Sequence, residues 1–554
     1  MEITSNNKKP CLVQTSQGFS VLYKEKYLYS KYNPSREILS KINSINVLPG
    51  TLFLCCSPVL PYGLKELSEK LSENCFILAC ELNKDLYDFE HTSQDSSAGA
   101  SASLPINNFS FLTPDESLKL PEILQEASYT LKSSITLPGA GTFKRIIRID
   151  FSAGVSFSEN LYNDVYSFSA SSIMTYWKNR ITLTKFGRRF SIDLFKNLSI
   201  LQETTPLSSF IKKITSPIVI FGAGESLEEG IKDIKIDQDK YYILCADTAL
   251  KPLVKSGIRP DGVFIEEAQS VILNAFTGAL KNSSTQIFAG LSSVPLWHSV
   301  KDKSRLSYFT TVYSKSNFLD ELLKTDFMPE SNPPFGSVGL TLLYYALRFR
   351  KDDSIPVFIY GLDFSYKPGK THARGTMAHL TRLLKNQRLK PVENYPASFG
   401  EANIKASGKN GGNLITTPVL QSYVNLLNNY FSEYKNVFDS SSQGLRLNLE
   451  HKKPCADENS KKTEIKKDGY DSLVAGKIIT FLKEEKEALI KIRDYLCGKI
   501  KTENKDELYS TLESLLKTRE YLYLHFADGH RLSMDQSFLN RIRIEIDFFL
   551  KVIK

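Results

Sequence analysis

The 554-residue chain has no uninterrupted apolar run long enough to cross a bilayer as a helix. Its opening, MEITSNNKKPCLVQTSQG, lacks the apolar stretch of a secretory signal. The eight cysteines form no C-x-x-C pair, and most sit in apolar runs. That pattern predicts free thiols in a reducing compartment rather than a disulfide framework. Together these absences predict a cytoplasmic protein with no membrane span. Histidine is scarce as well, with 7 in the chain, and no histidine–cysteine group has zinc-ligand spacing. There is no arginine stripe with interleaved aromatics. The net charge of +9, from 70 basic and 61 acidic residues, suits a phosphorylated ligand and does not argue for a nucleic-acid partner. No repeat of fixed period is visible.

What is present is a globular composition, 42% hydrophobic and 11% aromatic, in a chain long enough for several domains. Residues 1–130 form a first region. There GTLFLCCSPVLPYGLKELSEKLSENCFILACELNKDLYDF predicts strand, turn, helix, strand. The second strand ends at Glu81, where nucleotide-binding folds place an acid for a ribose. The preceding turn, SPVLPYG at 57–63, carries one glycine and two prolines, too little glycine for a close approach to a pyrophosphate. A Rossmann-like scaffold without a ligand is the expectation. SQDSSAGASAS at 93–103 predicts a mobile polar loop.

Residues 131–215 form a connector, with a strand in FKRIIRIDFSAG and an amphipathic helix in SSIMTYWKNRITLTKFGRRF. Its basic residues Arg180, Lys185, Arg188 and Arg189 are expected on a solvated face. Residues 216–455 alternate strand and helix, with strands expected at 217–221, 241–246, 262–266, 285–290, 308–313 and 355–361. That alternation predicts an α/β fold with a doubly wound, mostly parallel sheet, a Rossmann variant. After the charged linker ADENSKKTEIKKDG, residues up to 554 carry helical spacing, so 456–554 is expected to be a helical C-terminal domain.

Ligands of such sheets bind beyond the carboxyl ends of the strands. The first of these ends is FGAGESLEEG at 221–230, with Gly222, Gly224 and Ser226. Ser226 and Glu229 have capping-box spacing, which predicts a helix start and an anion cradle. Leu227 stands at the third position of G-x-G-x-x-G, and no G-K-[ST] follows, so neither the dinucleotide fingerprint nor a Walker loop is present. The second strand ends at Asp247, which can accept from ribose hydroxyls or hold a helix cap. The third ends at Glu266 and Glu267, a pair suited to sugar hydroxyls, a metal or solvent. PPFGSVGLTLLYYALRF sets Gly336 and Ser337 before a helix, a second polar cradle. PVFIYGLDFSY brings Gly361, Asp363 and Tyr366, and His372 and His379 follow in a loop rich in glycine and lysine. Either histidine is a candidate base.

FGAGESLEE, CADTALKPLVKSGIRPDGVFIEE, PPFGSVGLTLLYYA and IYGLDFSYKPGKTHARG, in this order, resemble the motility accessory factor (Maf) proteins, flagellin glycosyltransferases of flagellated bacteria. The central domain of that family is similar to bacterial sialyltransferases and to the archaeal 6-hydroxymethylpterin pyrophosphokinases. The resemblance implies a sialyltransferase-like sheet flanked by an N-terminal Rossmann-like domain and a helical tail. It implies transfer of a nonulosonic acid, of the pseudaminic or legionaminic type, from its CMP donor to Ser or Thr of flagellin. Carried over by motif, Gly222, Gly224 and Ser226 face the CMP phosphate. Asp247 and Glu266 face the ribose and sugar, and Gly336 and Ser337 the cytidine and the donor carboxylate. Asp363 belongs to the same substrate-binding set. Tyr366 assists the leaving phosphate, and His372 is the base. Glu225 stands where many relatives have proline, so its carboxylate must point away or pair with a base. No cofactor is implied, because helix-start N–H groups can serve the phosphate. An ATP-dependent pyrophosphokinase would instead hold Mg²⁺ on Asp247, Glu266 and Glu267. A non-catalytic flagellin-binding protein is the third expectation.

Overall fold

The structure, a computed structural model, describes residues 9–92, 108–126, 128–280, 284–312, 316–393, 396–400, 403–456, 461–500, 504–528 and 531–553. The loop expected at 93–103 lies outside these residues. The chain divides into two compact units, Met1–Thr182 and Leu183–Lys554.

The first unit begins with an antiparallel meander of Cys11–Thr15 (β1), Gly18–Tyr23 (β2) and Lys26–Tyr27 (β3). Thr51–Cys56 (β4), Phe76–Cys80 (β5), Phe109–Leu112 (β6) and Arg145–Asp150 (β9) form a parallel sheet in the order β6-β5-β4-β9. Ser128–Thr130 (β7) and Thr136–Pro138 (β8) pair as a small hairpin. Every residue of β4 and β5 is buried, as parallel strands covered on both faces must be. Alternate residues feed two cores: Leu52, Leu54, Leu78 and Cys80 on one face, Phe53, Cys55 and Ile77 on the other. Glu81 does not look outward. Its carboxylate accepts from Ser57 Oγ at 2.6 Å, from the Asn83 amide at 2.8 Å and from Tyr162 Oη at 3.0 Å. The position that could bind a ribose is filled from within.

The helix Glu159–Leu198 carries the chain from one unit into the next. Of its basic residues, Lys185 and Arg189 are exposed as expected, whereas Arg180 and Arg188 depart from the solvated face. Arg180 is 6% exposed. Arg188 lies 2.9 Å from Glu545 and 4.3 Å over the Phe548 ring, because the last helix of the chain packs there.

The second unit is built on a nine-stranded parallel sheet. Its strands are Ile218–Phe221 (β10), Tyr242–Ala246 (β11), Gly262–Ile265 (β12), Gln286–Gly290 (β13), Leu306–Thr311 (β14), Ser331–Asn332 (β15), Val357–Tyr360 (β16), Val437–Asp439 (β19) and Glu450–His451 (β20). The order is β15-β14-β13-β12-β11-β10-β16-β19-β20, with every pair parallel. Ile404–Ser407 (β17) and Asn413–Thr416 (β18) form a separate hairpin. The six strands expected from periodicity are all present. β15, β19 and β20 had no signal, since two or three residues are too few to show alternation.

Both faces of the sheet are covered, as a doubly wound fold requires. Ile218, Ile220, Leu244 and Ile359 pack on the helix Val338–Phe349. Val219, Phe221, Ile243 and Tyr360 belong to the other core, which continues into the helices Ser472–Leu496, Lys505–Lys517 and Gln536–Val552. The charged segment before these helices is anchored: Thr463 Oγ1 accepts from the Thr215 and Ser216 amides at 2.9 Å, and Lys462 lies 2.9 Å from Asp261. All eight cysteines are free thiols. No described helix is long and apolar enough to cross a membrane.

The direction of winding reverses at β10. Strands β11 to β15 run out on one side of it, and β16 and β19 on the other. The carboxyl ends of β10, β11 and β16 therefore flank the crevice where such sheets bind ligands.

Candidate functional site

β10 and β16 end side by side, with Phe221 in register with Tyr360. Past their ends two glycine turns pack backbone on backbone. The Gly222 amide donates to Tyr360 O at 2.8 Å, and the Gly224 amide to Gly361 O at 2.9 Å. A Cβ on Gly222 would run into the Gly361 carbonyl, and one on Gly224 would sit 2.5 Å from Asp363 Oδ2. Gly361 itself has φ +74°, which glycine adopts without strain. Asp363 is the strut beneath this turn. It accepts from the Ser226 amide at 2.8 Å and from the Ser226 hydroxyl, whose oxygen accepts in turn from the Gly361 amide at 2.7 Å. Burial raises the Asp363 pKa, and the Ser226 bonds oppose the rise.

One expectation fails here. A helix does start after Ser226, at Leu227, but no capping box forms, and Ser226 makes no side-chain cap bond. The buried Asp363 carboxylate offers a charge-assisted partner, which outcompetes a neutral amide. Glu229 turns away as well, accepting from the Ser442 amide at 3.0 Å and pairing with Lys453. The amides of Gly222, Gly224 and Ser226 thus have internal acceptors.

Above this turn lies a cavity of about 530 Å³. Its walls are Gly222–Gly224, Ala246–Thr248, Ser337–Gly339, Gly361–Tyr366, Thr371, His372, Arg382 and Tyr423, among others. Of the residues singled out from sequence, it gathers Gly222, Gly224, Asp247, Ser337, Asp363, Tyr366 and His372. Ser226, Glu266 and Gly336 are not in its walls. Ser226 is buried under the turn. Glu266 is held by Thr311 Oγ1 at 2.5 Å and Thr341 Oγ1 at 2.7 Å. Gly336, at φ +70°, accepts from Tyr423 Oη at 2.6 Å through its carbonyl. Past it, Val338 and Gly339 open the helix Val338–Phe349 and line the cavity. As first-turn amides they have no intrahelical acceptor, so this helix start, rather than the FGAGES turn, offers open N–H groups.

Asp247 is the first residue of the helix Asp247–Lys255 and is buried. It accepts from the Thr248 amide at 2.5 Å and the Thr248 hydroxyl at 2.9 Å. Burial, helped by the nearby Glu267 and Glu266, pushes its pKa up to about 6. It can therefore accept from a sugar hydroxyl or donate to one near neutral pH. Glu267 Oε1 accepts from the Gln269 amide at 2.8 Å. Among the described residues no group of three or more His, Cys, Asp or Glu comes together to hold a metal.

His372 is set by its neighbours. Its Nδ1 lies 3.0 Å from Thr371 Oγ1, and Arg382 donates to that same hydroxyl and to Gly369 O at 3.3 Å. Burial, with the Arg382 charge adding to it, holds the His372 pKa down to about 4. The ring is neutral at neutral pH. His379 lies on the helix Met377–Leu384, outside the cavity walls. Tyr366 Oη donates to Ala397 O at 2.8 Å. Glu225 is paired, 3.1 Å from both Lys367 and Lys370, which also reaches Glu228 at 2.9 Å. Sequence reasoning missed Thr371, Arg382 and Tyr423. Thr371 stands beside His372 inside the KPGKTHARG segment but carries no signal of its own there, whereas Arg382 and Tyr423 are single residues brought in by later helices with no motif to mark them.

Residues 192–369 match the family model described as 6-hydroxymethylpterin diphosphokinase MptE-like. The segment contains β10 to β16 and most of the cavity. A solved structure, described as a MAf glycosyltransferase from Magnetospirillum magneticum AMB-1, superposes with a TM-score of 0.50 over 98% of this chain and 91% of its own, at 14% identity. The fold is a Maf fold. The resemblance seen in the motifs thus holds for the architecture of the whole chain, flanking regions included. An uncharacterized protein of Treponema pallidum (strain Nichols) is 29% identical over 98% of this chain and 95% of its own length. A second uncharacterized protein of that strain is 33% identical over 17% of this chain and 47% of its own.

Proposed function

We propose that the chain is a glycosyltransferase that moves a nonulosonic acid, of the pseudaminic or legionaminic type, from its CMP donor to Ser or Thr of flagellin. The observation that carries this is the cavity at the switch point of β10. Open helix-start amides, a guanidinium and a neutral histidine meet there, in a fold shared with a Maf glycosyltransferase. The Val338 and Gly339 amides and Arg382 receive the departing phosphate. Asp247 takes a hydroxyl of the ribose or sugar. Neutral His372 accepts the proton of the attacking hydroxyl, a role typically worth about 10²–10⁴-fold. The new C–O bond forms at the anomeric carbon as its bond to the phosphate oxygen breaks. CMP leaves with the electron pair, and the configuration inverts. Tyr366 must release Ala397 O before its hydroxyl can reach the phosphate. The reaction needs no cofactor beyond the activated donor, and CMP-activated sugars place it in the cytoplasm.

The match of residues 192–369 to an MptE-like model supports a second reading, an ATP-dependent pyrophosphokinase with Mg²⁺ near Asp247, Glu266 and Glu267. The paired hydroxyls on Glu266 count against it.

Calorimetry with CMP, UDP, and ATP with Mg²⁺ separates the two. Binding of CMP alone, followed by transfer from a CMP-nonulosonate to flagellin that His372→Ala abolishes while CMP still binds, is the expected result. Binding of ATP only with Mg²⁺, with release of AMP, would favour the kinase. Full transfer by His372→Ala would remove His372 as the base.

A further inference from the structure

A second cavity, of about 540 Å³, abuts the first, and the two share Thr248, His372 and Arg382. A base must touch the attacking group on one side and face the activated sugar on the other. A histidine in the common wall of two cavities stands in that position. The second cavity has a different character from the first. Val271, Ile272, Ala275, Met377 and Val392 give it an aliphatic lining, and Lys385 and Lys390 stand in its walls.

The charged residues in its lining, Arg382, Lys385 and Lys390, are all basic. Between Asp363 and Glu393 the chain has Lys367, Lys370, Arg374, Arg382, Lys385, Arg388 and Lys390 and no acidic residue. Lys367 and Lys370 are neutralised by Glu225 and Glu228. Lys385, Arg388 and Lys390 form no ion pair among the described residues. Beside them Leu384 and Leu389 are 88% and 86% exposed. Large aliphatic side chains held in water next to unpaired cations mark a surface for a partner that is both apolar and acidic. A sugar confined to the first cavity would use neither.

We infer that the second cavity seats the acceptor polypeptide, with aliphatic side chains against Val271 and Met377 and acidic side chains against Lys385 and Lys390. The acceptor hydroxyl then meets His372 at the shared wall. This rests on the reading of the first cavity as the donor site.

The test uses two short fluorescein-labelled peptides on the full-length protein, each with a central Ser flanked by leucine and valine. One carries glutamates outside that core and the other lysines. Fluorescence anisotropy at low and high salt should show the acidic peptide binding at least about tenfold tighter, with salt weakening it. The double variant Lys385→Glu/Lys390→Glu should reverse the preference while its circular dichroism and thermal unfolding stay as in the parent. Equal binding of both peptides, no binding of either, or an unchanged preference in the folded variant overturns the inference. CMP calorimetry on the same samples keeps the two readings apart, because Lys385 and Lys390 line only the second cavity. Charge-blind peptides with CMP still bound sink the acceptor seat alone. Absent CMP binding with a charge-selective peptide sinks the donor reading and leaves the peptide site standing.

Discussion

The Ser226 amide donates to Asp363 Oδ2 at 2.8 Å, and that bond explains why residue 224 is glycine. The carboxylate that ties the turn to β16 lies where a residue-224 side chain would go. Gly224→Ala should therefore displace Asp363 and cost about 1–3 kcal/mol, the usual range for overpacking a tight site. Urea unfolding of the variant gives the figure. CMP affinity should fall with it, since Gly224 and Asp363 both line the cavity. An unchanged midpoint and unchanged affinity would show that the turn relaxes freely and that Asp363 is no strut.

Glu225 is the one carboxylate of the FGAGES turn, and it is spoken for by Lys367 and Lys370. It adjoins Gly224, and Lys370 adjoins Thr371, both in the cavity wall. In Glu225→Gln Lys367 loses its counter-charge and Lys370 keeps only Glu228, so the positive potential at the cavity rises. CMP should bind about twofold to fivefold tighter, in keeping with ~0.5–1 kcal/mol for a partly exposed pair. The salt dependence of binding should steepen. Weaker CMP binding would mean that Glu225 orders the loop and that its charge is incidental.

Glu266 separates the expected site from the observed one. Its two oxygens are taken by Thr311 and Thr341, which join the end of β14 to the helix Val338–Phe349. Glu266→Ala should destabilise by about 1–3 kcal/mol, because the Thr341 hydroxyl loses its acceptor and Thr311 keeps only the longer bond to Asn332. CMP affinity should stay near that of the parent. A loss of nucleotide affinity with no loss of stability would return Glu266 to the binding set.

The sheet was legible in the sequence because its strands are short, fully apolar runs such as IVIF and YILCA, bounded by turns. Their carboxyl ends, and with them Gly222, Asp247, Asp363 and His372, followed from the rule that such sheets bind ligands there. What could not be read was which way each side chain turns. Ser226 has the spacing of a cap, yet it bonds a carboxylate 137 positions away in the chain. Glu266 is one residue from the strand end and points to two threonines from other elements. Arg382 enters from a helix with no motif, and its guanidinium adds to the burial that keeps His372 neutral. Sequence spacing reports neighbours along one element, whereas these three contacts run between elements.

Burial and the Arg382 charge hold the His372 pKa down to about 4. The folded value lies below the ordinary one of 6.5, so the neutral ring contributes stability that is full above pH 6.5 and is lost as the pH falls toward 4. A base so weak has little driving force until its neighbour is neutralised. The phosphate of bound CMP, placed against Arg382, would remove part of the charge that opposes protonation. The His372 pKa should therefore rise when CMP binds, and rise in Arg382→Met without it. Activity profiles alone would be ambiguous, because Asp247, held up to about 6, titrates in the same window. Carbon-13 labelling of the histidine rings resolves this, with the signal that vanishes in His372→Ala giving the assignment. A His372 pKa that stays put on CMP binding would place the phosphate away from Arg382, at the Val338 and Gly339 amides alone.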